Sequence, residues 1–142
     1  MNPVLFSSQS DHWSTPQHVF EGLDQEFHFD FDPCPLMSKG DGRKLIWSGS
    51  VFCNPPYSRI GEFLRAGLYW LAEKKCSLIV FLLPARTDTS WFHEFCLNAE
   101  EIRFIKGRLK FGKAVNSAPF PSMVVIFREW NIETLPIEAK SP

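Results

Sequence analysis

One short segment of this chain, SLIVFLL at residues 77–83, is apolar at every position from Leu78 onward. A strand with one solvated face alternates apolar and polar side chains, whereas a strand covered on both faces reads as a continuous apolar run. The segment therefore predicts a central parallel strand with other layers packed on both of its faces. It is far shorter than the roughly 20 residues of a membrane-spanning helix, and the N-terminus lacks a signal-peptide pattern, so we expect a cytosolic protein.

The first predicted helix lies near the N-terminus. Thr15 and Pro16 are typical of a helix start, in which a hydroxyl caps the first turn and proline occupies the first helical position. Apolar residues then recur at helical spacing and predict a helix that continues to about Glu26. The alternating segment HFDFD at 28–32 predicts a short strand, and the residues rich in Pro, Gly and Ser that follow it predict a long loop.

Helices and strands continue to alternate along the rest of the chain. A strand-like run ends at Asn54, and apolar residues from Ile60 onward define a helix of about four turns that we expect to end at Lys74 and Lys75. Asp88 is expected to cap a third helix. Two further strands are predicted at 101–105 and 122–127. This order predicts an α/β fold with helices on both faces of a sheet that is parallel at its centre, with its last two strands antiparallel.

The length of the chain, 142 residues, fits one domain that spans 1–142, with residues 129–142 as a loose tail. Its four cysteines are far apart, with no Cys-x-x-Cys pair and no paired Cys/His spacing. This arrangement predicts reduced thiols, no disulfide framework and no metal site.

The charges of the chain are unevenly distributed. Residues 1–38 contain six acidic side chains and no Lys or Arg, whereas the segment RFIKGRLKFGK at 103–113 contains five cations and no acid. Cations interleaved with apolar side chains suit a surface that follows phosphates and stacks on bases. We therefore expect a nucleic acid partner.

Three polar segments follow predicted strands. They are Asp32-Pro33-Cys34, Asn54-Pro55-Pro56-Tyr57 and Pro84-Ala85-Arg86. In α/β sheets, ligands bind beyond the carboxyl ends of the strands. We therefore expect these segments to converge on one rim of the sheet.

The segment Asn54-Pro55-Pro56-Tyr57 predicts a chemical role. Its prolines make it a stiff, extended exit from a strand, because proline cannot donate to a sheet ladder and biases the preceding residue away from helix. The Asn54 side-chain oxygen and the Pro55 carbonyl can accept the two N–H bonds of an aromatic amine, such as that of adenine, and concentrate its lone pair on nitrogen. Two acceptors suffice when the methyl donor is a sulfonium, since its leaving group is neutral. Tyr57 can stack on a base turned out of a duplex.

The sequence resembles the small phage and prophage DNA adenine-N6 methyltransferases, which are Dam-like, depend on S-adenosylmethionine and carry NPPY between a strand and a helix. The likeness covers DHWSTPQHVFEGLDQEF (11–27), FDPCP (31–35), Trp47, FCNPPYS (52–58), LLPARTDTSWFHEF (82–95) and GRLKFGKAVNSAPFPSMVVIF (107–127). It implies an adenine-specific DNA methyltransferase in the cytoplasm of a bacterial host. It also implies a trimmed Rossmann-like methyltransferase sheet that is mostly parallel, ends in an antiparallel C-terminal hairpin and lacks its far-edge strands.

The same resemblance assigns roles to individual residues. The catalytic residues would be Asn54, Pro55, Pro56 and Tyr57. S-adenosylmethionine would be bound by Trp13, Ser14, Thr15, Pro16, Asp32, Pro33 and Cys34, with the ammonium or another polar group on Asp32. DNA would be contacted by Arg86, Arg108, Lys110, Phe111 and Asn116, and Phe111 or Phe120 would close over the flipped base opposite Tyr57. No metal is implied, and the oligomeric state is open.

Several alternatives stay open at this point. Cytosine N4 is an amine of the same kind, so the rim could methylate cytosine. A catalytically degenerate relative would bind DNA or cofactor without turnover; the absence of a Phe-x-Gly-x-Gly loop after Asp32 favours it, and the intact Asn54 and Tyr57 disfavour it. A protein-glutamine methyltransferase would act on a peptide amide, and the basic segment disfavours it. The residue that holds the cofactor's ribose is also open, with Asp41 as one candidate.

Overall fold

The secondary structure comes from a computed structural model that describes residues 13–35, 40–111 and 117–130. Its elements in chain order are α1 (Gln17–Phe27), β1 (Gly49–Cys53), α2 (Ile60–Ala72), β2 (Cys76–Pro84), α3 (Ser90–Glu94), β3 (Glu101–Phe104) and β4 (Ser122–Phe127). Single turns of 3₁₀ helix lie at Gly42–Lys44, Tyr57–Arg59 and Cys96–Asn98. Of the predicted tail, the part from position 131 onward lies outside the described residues. Within the described ranges no helix is both long enough and apolar enough to cross a membrane.

β2 is the central buried strand that the apolar run predicts. Successive side chains of a strand point to opposite faces of the sheet, and both faces of β2 are covered. One face packs against α2 through Ile79, Phe81 and Leu83. The other face packs with residues of α1 through Leu78, Val80 and Leu82. The prediction of helices on both faces is therefore confirmed.

The sheet has four strands in the order β1-β2-β4-β3. β1 and β2 are parallel, while β4 pairs antiparallel with both β2 and β3. The antiparallel pairing of the last two strands is confirmed, but the prediction of a mostly parallel sheet is wrong. β4 lies between β2 and β3, which run in the same direction, and it is antiparallel to both.

The strand predicted at 28–32 is reduced to a single parallel bridge between Phe31 and Val51. A side chain interrupts the ladder there, because Asp30 Oδ2 accepts the hydrogen bond of the Ser50 backbone N–H at 2.9 Å. The segment therefore adds no full parallel strand to the sheet, which is a second reason why the sheet is mixed.

The start of α1 differs from the prediction. The helix begins at Gln17, Pro16 occupies the N-cap position, and no side chain caps the first turn. Thr15 therefore lies outside the helix and does not act as its cap. The end of α1 at Phe27 agrees with the predicted end at about Glu26.

The other helices also differ in their ends. α2 ends at Ala72, two residues before the predicted lysines, and Lys74 then takes a left-handed conformation with φ of 61°. α3 is capped by Thr89, whose Oγ1 accepts from the Phe92 backbone N–H at 3.3 Å. The prediction that Asp88 caps this helix is therefore wrong.

Among the described residues no two cysteines are joined by a disulfide. Cys53, Cys76 and Cys96 are buried. Burial raises the pKa of Cys76 and of Cys96 to about 12, which suits packing residues rather than nucleophiles.

Candidate functional site

Two of the three segments predicted to form one rim lie side by side at the ends of β1 and β2. β1 ends at Cys53, which pairs with Phe81 of β2, so Asn54 leaves the sheet close to the end of β2. Arg86 follows that end, and its guanidinium carbon lies 5.9 Å from the centre of the Tyr57 ring. The predicted convergence of these two segments is confirmed, because parallel neighbouring strands end at the same edge of a sheet.

Asn54 is a buried polar residue of this rim, with 2% of its surface exposed. Its side-chain Nδ2 donates to the Thr15 hydroxyl at 3.0 Å and to the backbone carbonyl of Trp13. Its side-chain oxygen Oδ1 is buried and accepts no hydrogen bond from any residue in the described part of the chain. Buried polar atoms almost always have a partner, so Oδ1 is an acceptor that fits a donor brought by a ligand.

Four aromatic rings lie around this position. The ring of Trp13 is nearly parallel to that of Tyr57, with an angle of 22° and centres 6.4 Å apart. Phe111 and Phe120 each meet Trp13 edge to face at 5.6 Å, and Phe120 also meets Tyr57 in this way at 5.2 Å. The structure therefore brings Phe111 and Phe120 to the Tyr57 platform and places Trp13 in the same cluster.

Tyr57 presents an apolar surface at the rim. Its hydroxyl is buried and has no hydrogen-bond partner among the residues that the structure describes. Burial raises the pKa of Tyr57 well above its ordinary range, and the nearby Arg86 opposes this only in part. The Tyr57 side chain is therefore uncharged at physiological pH.

A cavity of about 470 Å³ opens between the start of α1 and the segment that follows Phe31. Its volume lies within the range of small-molecule sites. Four of the residues predicted to bind the cofactor line it: Ser14, Thr15, Asp32 and Cys34. Because Thr15 also accepts the hydrogen bond from Asn54, the cavity adjoins the rim.

Asp32 is one of two carboxylates that line this cavity, and Glu21 is the other. The Oδ1 atom of Asp32 accepts a hydrogen bond from the Cys34 backbone N–H at 2.8 Å. Burial nevertheless raises the pKa of Asp32, because the cost of desolvating the charged form outweighs this hydrogen bond. A carboxylate in this state gains from a cationic ligand group, which would offset its desolvation.

Other predicted residues lie elsewhere. Trp13 belongs to the aromatic cluster rather than to the cavity lining, and Pro33 lies along a second cavity of about 280 Å³. Asp41 also lines this second cavity, where the Arg43 guanidinium lowers the pKa of the Asp41 carboxyl to about 2. Asn116 lies outside the described residues. The described ranges contain no cluster of three or more His, Cys, Asp or Glu side chains that could hold a metal ion.

Several lining residues of the first cavity were not predicted from the sequence. They are Gln17, Phe20, Glu21, Pro35 and Phe52. The three on α1 occur at i, i+3 and i+4 and therefore share one face of the helix. This spacing is a usable signal, but it does not distinguish a face that packs on the core from one that lines a cavity.

The basic segment leaves the sheet at the rim as well. β3 is antiparallel to β4, and β4 is antiparallel to β2, so β3 and β2 end at the same edge. Beyond β3, Leu109 and Phe111 are buried, while Arg108 and Lys110 are exposed. Neither of these two cations forms an ion pair with another described residue. They are therefore available to an external anion.

Comparisons with known proteins cover most of the chain. A family model described as DNA N-6-adenine-methyltransferase (Dam) matches residues 4–141. The chain is also similar to a DNA N-6-adenine-methyltransferase of Escherichia phage T1, with 30% identity over 152 aligned positions. This alignment covers 84% of the chain and 63% of the phage protein, so the chain spans less than two thirds of that relative's length.

Proposed function

Because the chain belongs to the DNA N-6-adenine-methyltransferase (Dam) family, we propose that it transfers a methyl group from S-adenosylmethionine to the N6 amino group of adenine in DNA. The observation that carries this proposal is the buried Asn54 Oδ1, which has no donor among the described residues. The amino group of a base would supply the missing N–H. The ring of Tyr57, three positions along the chain, would stack on that base.

Asn54 and Pro55 would act on the nitrogen of the amine. Its lone pair is delocalised into the purine ring, so the free amine is a poor nucleophile. Hydrogen bonds from its two N–H groups to Asn54 Oδ1 and to the Pro55 carbonyl would favour a tetrahedral nitrogen and concentrate the lone pair there. As the C–N bond forms, the nitrogen becomes positive, and the same two oxygens stabilise it until a proton leaves to solvent. Pro55 and Pro56 would keep the acceptors in place, because proline fixes the backbone dihedral φ.

The cavity fits a methyl donor that is cationic at one end. When bound, S-adenosylmethionine supplies an electrophilic sulfonium methyl group and a neutral thioether leaving group. Asp32, whose pKa is raised by burial, would receive the ammonium of the donor. Ser14, Thr15 and Cys34 would contact the donor along the cavity wall. Trp13, Pro16 and Pro33 belong to the same segments, 13–16 and 32–34, and would hold the residues that contact the donor in place.

DNA would lie against the exposed cations at the rim. Arg108 and Lys110 are proposed to contact phosphates, since both are exposed beyond β3. Arg86 stacks on Tyr57 and Phe120 and would contact DNA next to the flipped base. Phe111, which belongs to the aromatic cluster, and Asn116 are also proposed to contact DNA.

The experiment is a methyl-transfer assay with unmodified DNA and S-adenosylmethionine, followed by mass spectrometry of the nucleosides. The expected product is N6-methyladenine. Asn54→Ala is expected to lower kcat by about 100-fold or more, as for the loss of one preorganised polar group. Asn98→Ala is the matched control, because Asn98 is exposed in the 3₁₀ turn before β3. N4-methylcytosine as the product, binding without turnover, or full activity of Asn54→Ala would each contradict the proposal.

A further inference from the structure

The orientation of the Asn54 amide is set by the segment that precedes α1. Its Nδ2 donates to the Trp13 carbonyl and to the Thr15 hydroxyl, the latter at 3.0 Å. A backbone carbonyl can only accept a hydrogen bond, so the NH₂ end must face Trp13, and Oδ1 must face away from it. The free acceptor is therefore the consequence of two contacts that Asn54 makes with distant parts of the chain. Trp13 lies 41 positions before it in the sequence, and Thr15 lies 39 positions before it.

We propose that Thr15 is a positioning residue for methyl transfer, whose hydroxyl holds the Asn54 amide with Oδ1 turned toward the base. This inference rests on the proposed function of the site. It assigns Thr15 an action on chemistry, through Asn54, in addition to its place in the cavity wall.

The structure leaves the Thr15 hydroxyl available for this action. A Thr before a helix commonly caps the first turn, but here Pro16 occupies the N-cap position, and its carbonyl accepts from the backbone N–H groups of Val19 and Phe20 at 3.1 Å each. No side chain caps α1. Loss of the hydroxyl is therefore expected to disturb Asn54 rather than the start of the helix.

A positioning role and a cofactor contact have different kinetic consequences. If Thr15 only contacted the methyl donor, removal of its hydroxyl would weaken donor binding and leave the rate at saturation unchanged. If it orients Asn54, the same change lowers the rate of the chemical step at saturating donor and DNA. The two roles can therefore be separated by measuring binding and single-turnover rate on the same variants.

The first test compares Thr15→Val, which keeps the shape and removes the acceptor, with Thr15→Ser, which keeps the hydroxyl. Thr15→Val is expected to lower the single-turnover rate about tenfold, as for the loss of one hydrogen bond. Saturating donor compensates for any rise in its donor Kd, measured by calorimetry, so the single-turnover rate at saturation should stay lowered, and Thr15→Ser should restore most of that rate. A wild-type single-turnover rate in Thr15→Val, or a loss explained entirely by donor Kd, overturns the inference.

The second test observes the hydrogen bond directly by NMR. The Asn54 side-chain NH₂ signals, identified by their absence in Asn54→Ala, should exchange slowly with solvent in the wild type and faster in Thr15→Val. Rapid exchange in the wild-type protein overturns the inference even if the valine variant fails to fold. The two proposals also fail separately: activity in Asn54→Ala removes the catalytic role of Asn54, whereas an inactive Asn54→Ala beside a fully active Thr15→Val removes only the role of Thr15.

Discussion

The side chain at position 54 must donate at one end and accept at the other. Its nitrogen faces two oxygen acceptors, the carbonyl of Trp13 and the hydroxyl of Thr15, while its own oxygen is left for a ligand. A carboxylate satisfies only the second requirement. It would direct an oxygen against the Trp13 carbonyl and bury a charge, since position 54 is 2% exposed.

Asn54→Asp therefore provides a test that does not depend on activity alone. We expect it to lower the free energy of unfolding at neutral pH by about 1–3 kcal/mol, because buried partners are left unsatisfied, and to lower methyl transfer as well. Thermal and urea unfolding at pH 7 measure the first effect. Asn98→Asp, at an exposed position, is the control. Equal stability of the two variants would contradict the arrangement around Asn54.

Asp32 connects ligand binding to pH-dependent stability. Burial raises its pKa, so the folded protein binds this proton more tightly than the unfolded chain does. The sign follows from linkage: a raised folded-state pKa favours folding below the unfolded pKa, and this contribution is lost as pH rises through the folded pKa. Once the pH lies above the raised pKa, the desolvated carboxylate of Asp32 therefore lowers the stability of the folded state.

Asp32→Asn is expected to raise the thermal midpoint at pH 7, and this gain should shrink as the pH is lowered through the raised pKa of Asp32. The same variant should bind S-adenosylmethionine more weakly. Thermal unfolding from pH 7 to acid, with and without the donor, measures both effects. Asp88→Asn is the exposed control. A gain in midpoint that is the same at every pH would contradict the explanation.

α2 packs closely against the Trp47 ring at Gly67. A Cβ atom on Gly67 would lie 2.8 Å from Cε3 of Trp47, closer than packed atoms allow. The Trp47 indole cannot easily move, because it is fully buried and its Nε1 donates to the Gly42 carbonyl at 2.9 Å. The helix behind the rim therefore depends on a residue without a side chain at position 67.

Gly67→Ala is expected to lower the free energy of unfolding by about 1–3 kcal/mol through overpacking. Gly22→Ala, in α1, is the matched change, because nothing lies within 4 Å of the Cβ it would add. There the loss of backbone freedom in the unfolded chain and the gain in helix propensity should raise the free energy of unfolding by about 0.5–1 kcal/mol. Urea denaturation of both variants is the measurement. Changes of the same sign in the two would contradict the packing described here.

Elements whose structure is decided by burial alone were predictable from the sequence. β2 is apolar from Leu78 onward because both of its faces are covered there. Elements decided by a distant side chain were not. In the segment 28–32 the Asp30 carboxylate accepts a hydrogen bond from the backbone of Ser50, and the segment forms no full strand. Thr15 accepts a hydrogen bond from Asn54 and does not cap α1. The periodicity of the local sequence predicts neither of these contacts.

The candidate site shows the same division. The NPPY rim could be located because strand ends and proline stiffness are local properties. The cavity wall on α1 could not, since Gln17 and Glu21 fit a solvated helix face equally well. The place of β4 between β2 and β3 is also a long-range pairing, which the apolar pattern of 122–127 does not specify.

The sheet gives the protein two ends with different roles. β1, β2 and β3 all run toward the rim, so Asn54, Arg86 and the basic segment lie at that end. Lys74 and Lys75 are exposed just before β2 begins, at the opposite end. Both ends therefore carry exposed cations, and only position relative to the rim distinguishes them as DNA contacts.

The salt dependence of DNA binding separates the two ends. Arg108→Ala with Lys110→Ala removes two positive charges at the rim, and Lys74→Ala with Lys75→Ala removes two at the far end, so the change in net charge is the same. Each phosphate contact contributes about 0.9 to the slope of log K against log salt concentration on duplex DNA, so the rim pair should reduce the slope by about 2. The far pair should leave it nearly unchanged, because exposed charges separated by more than a Debye length of about 10 Å are largely screened. Fluorescence anisotropy at several salt concentrations measures both slopes, and equal losses from the two pairs would mean that DNA is attracted by overall charge rather than held at the rim.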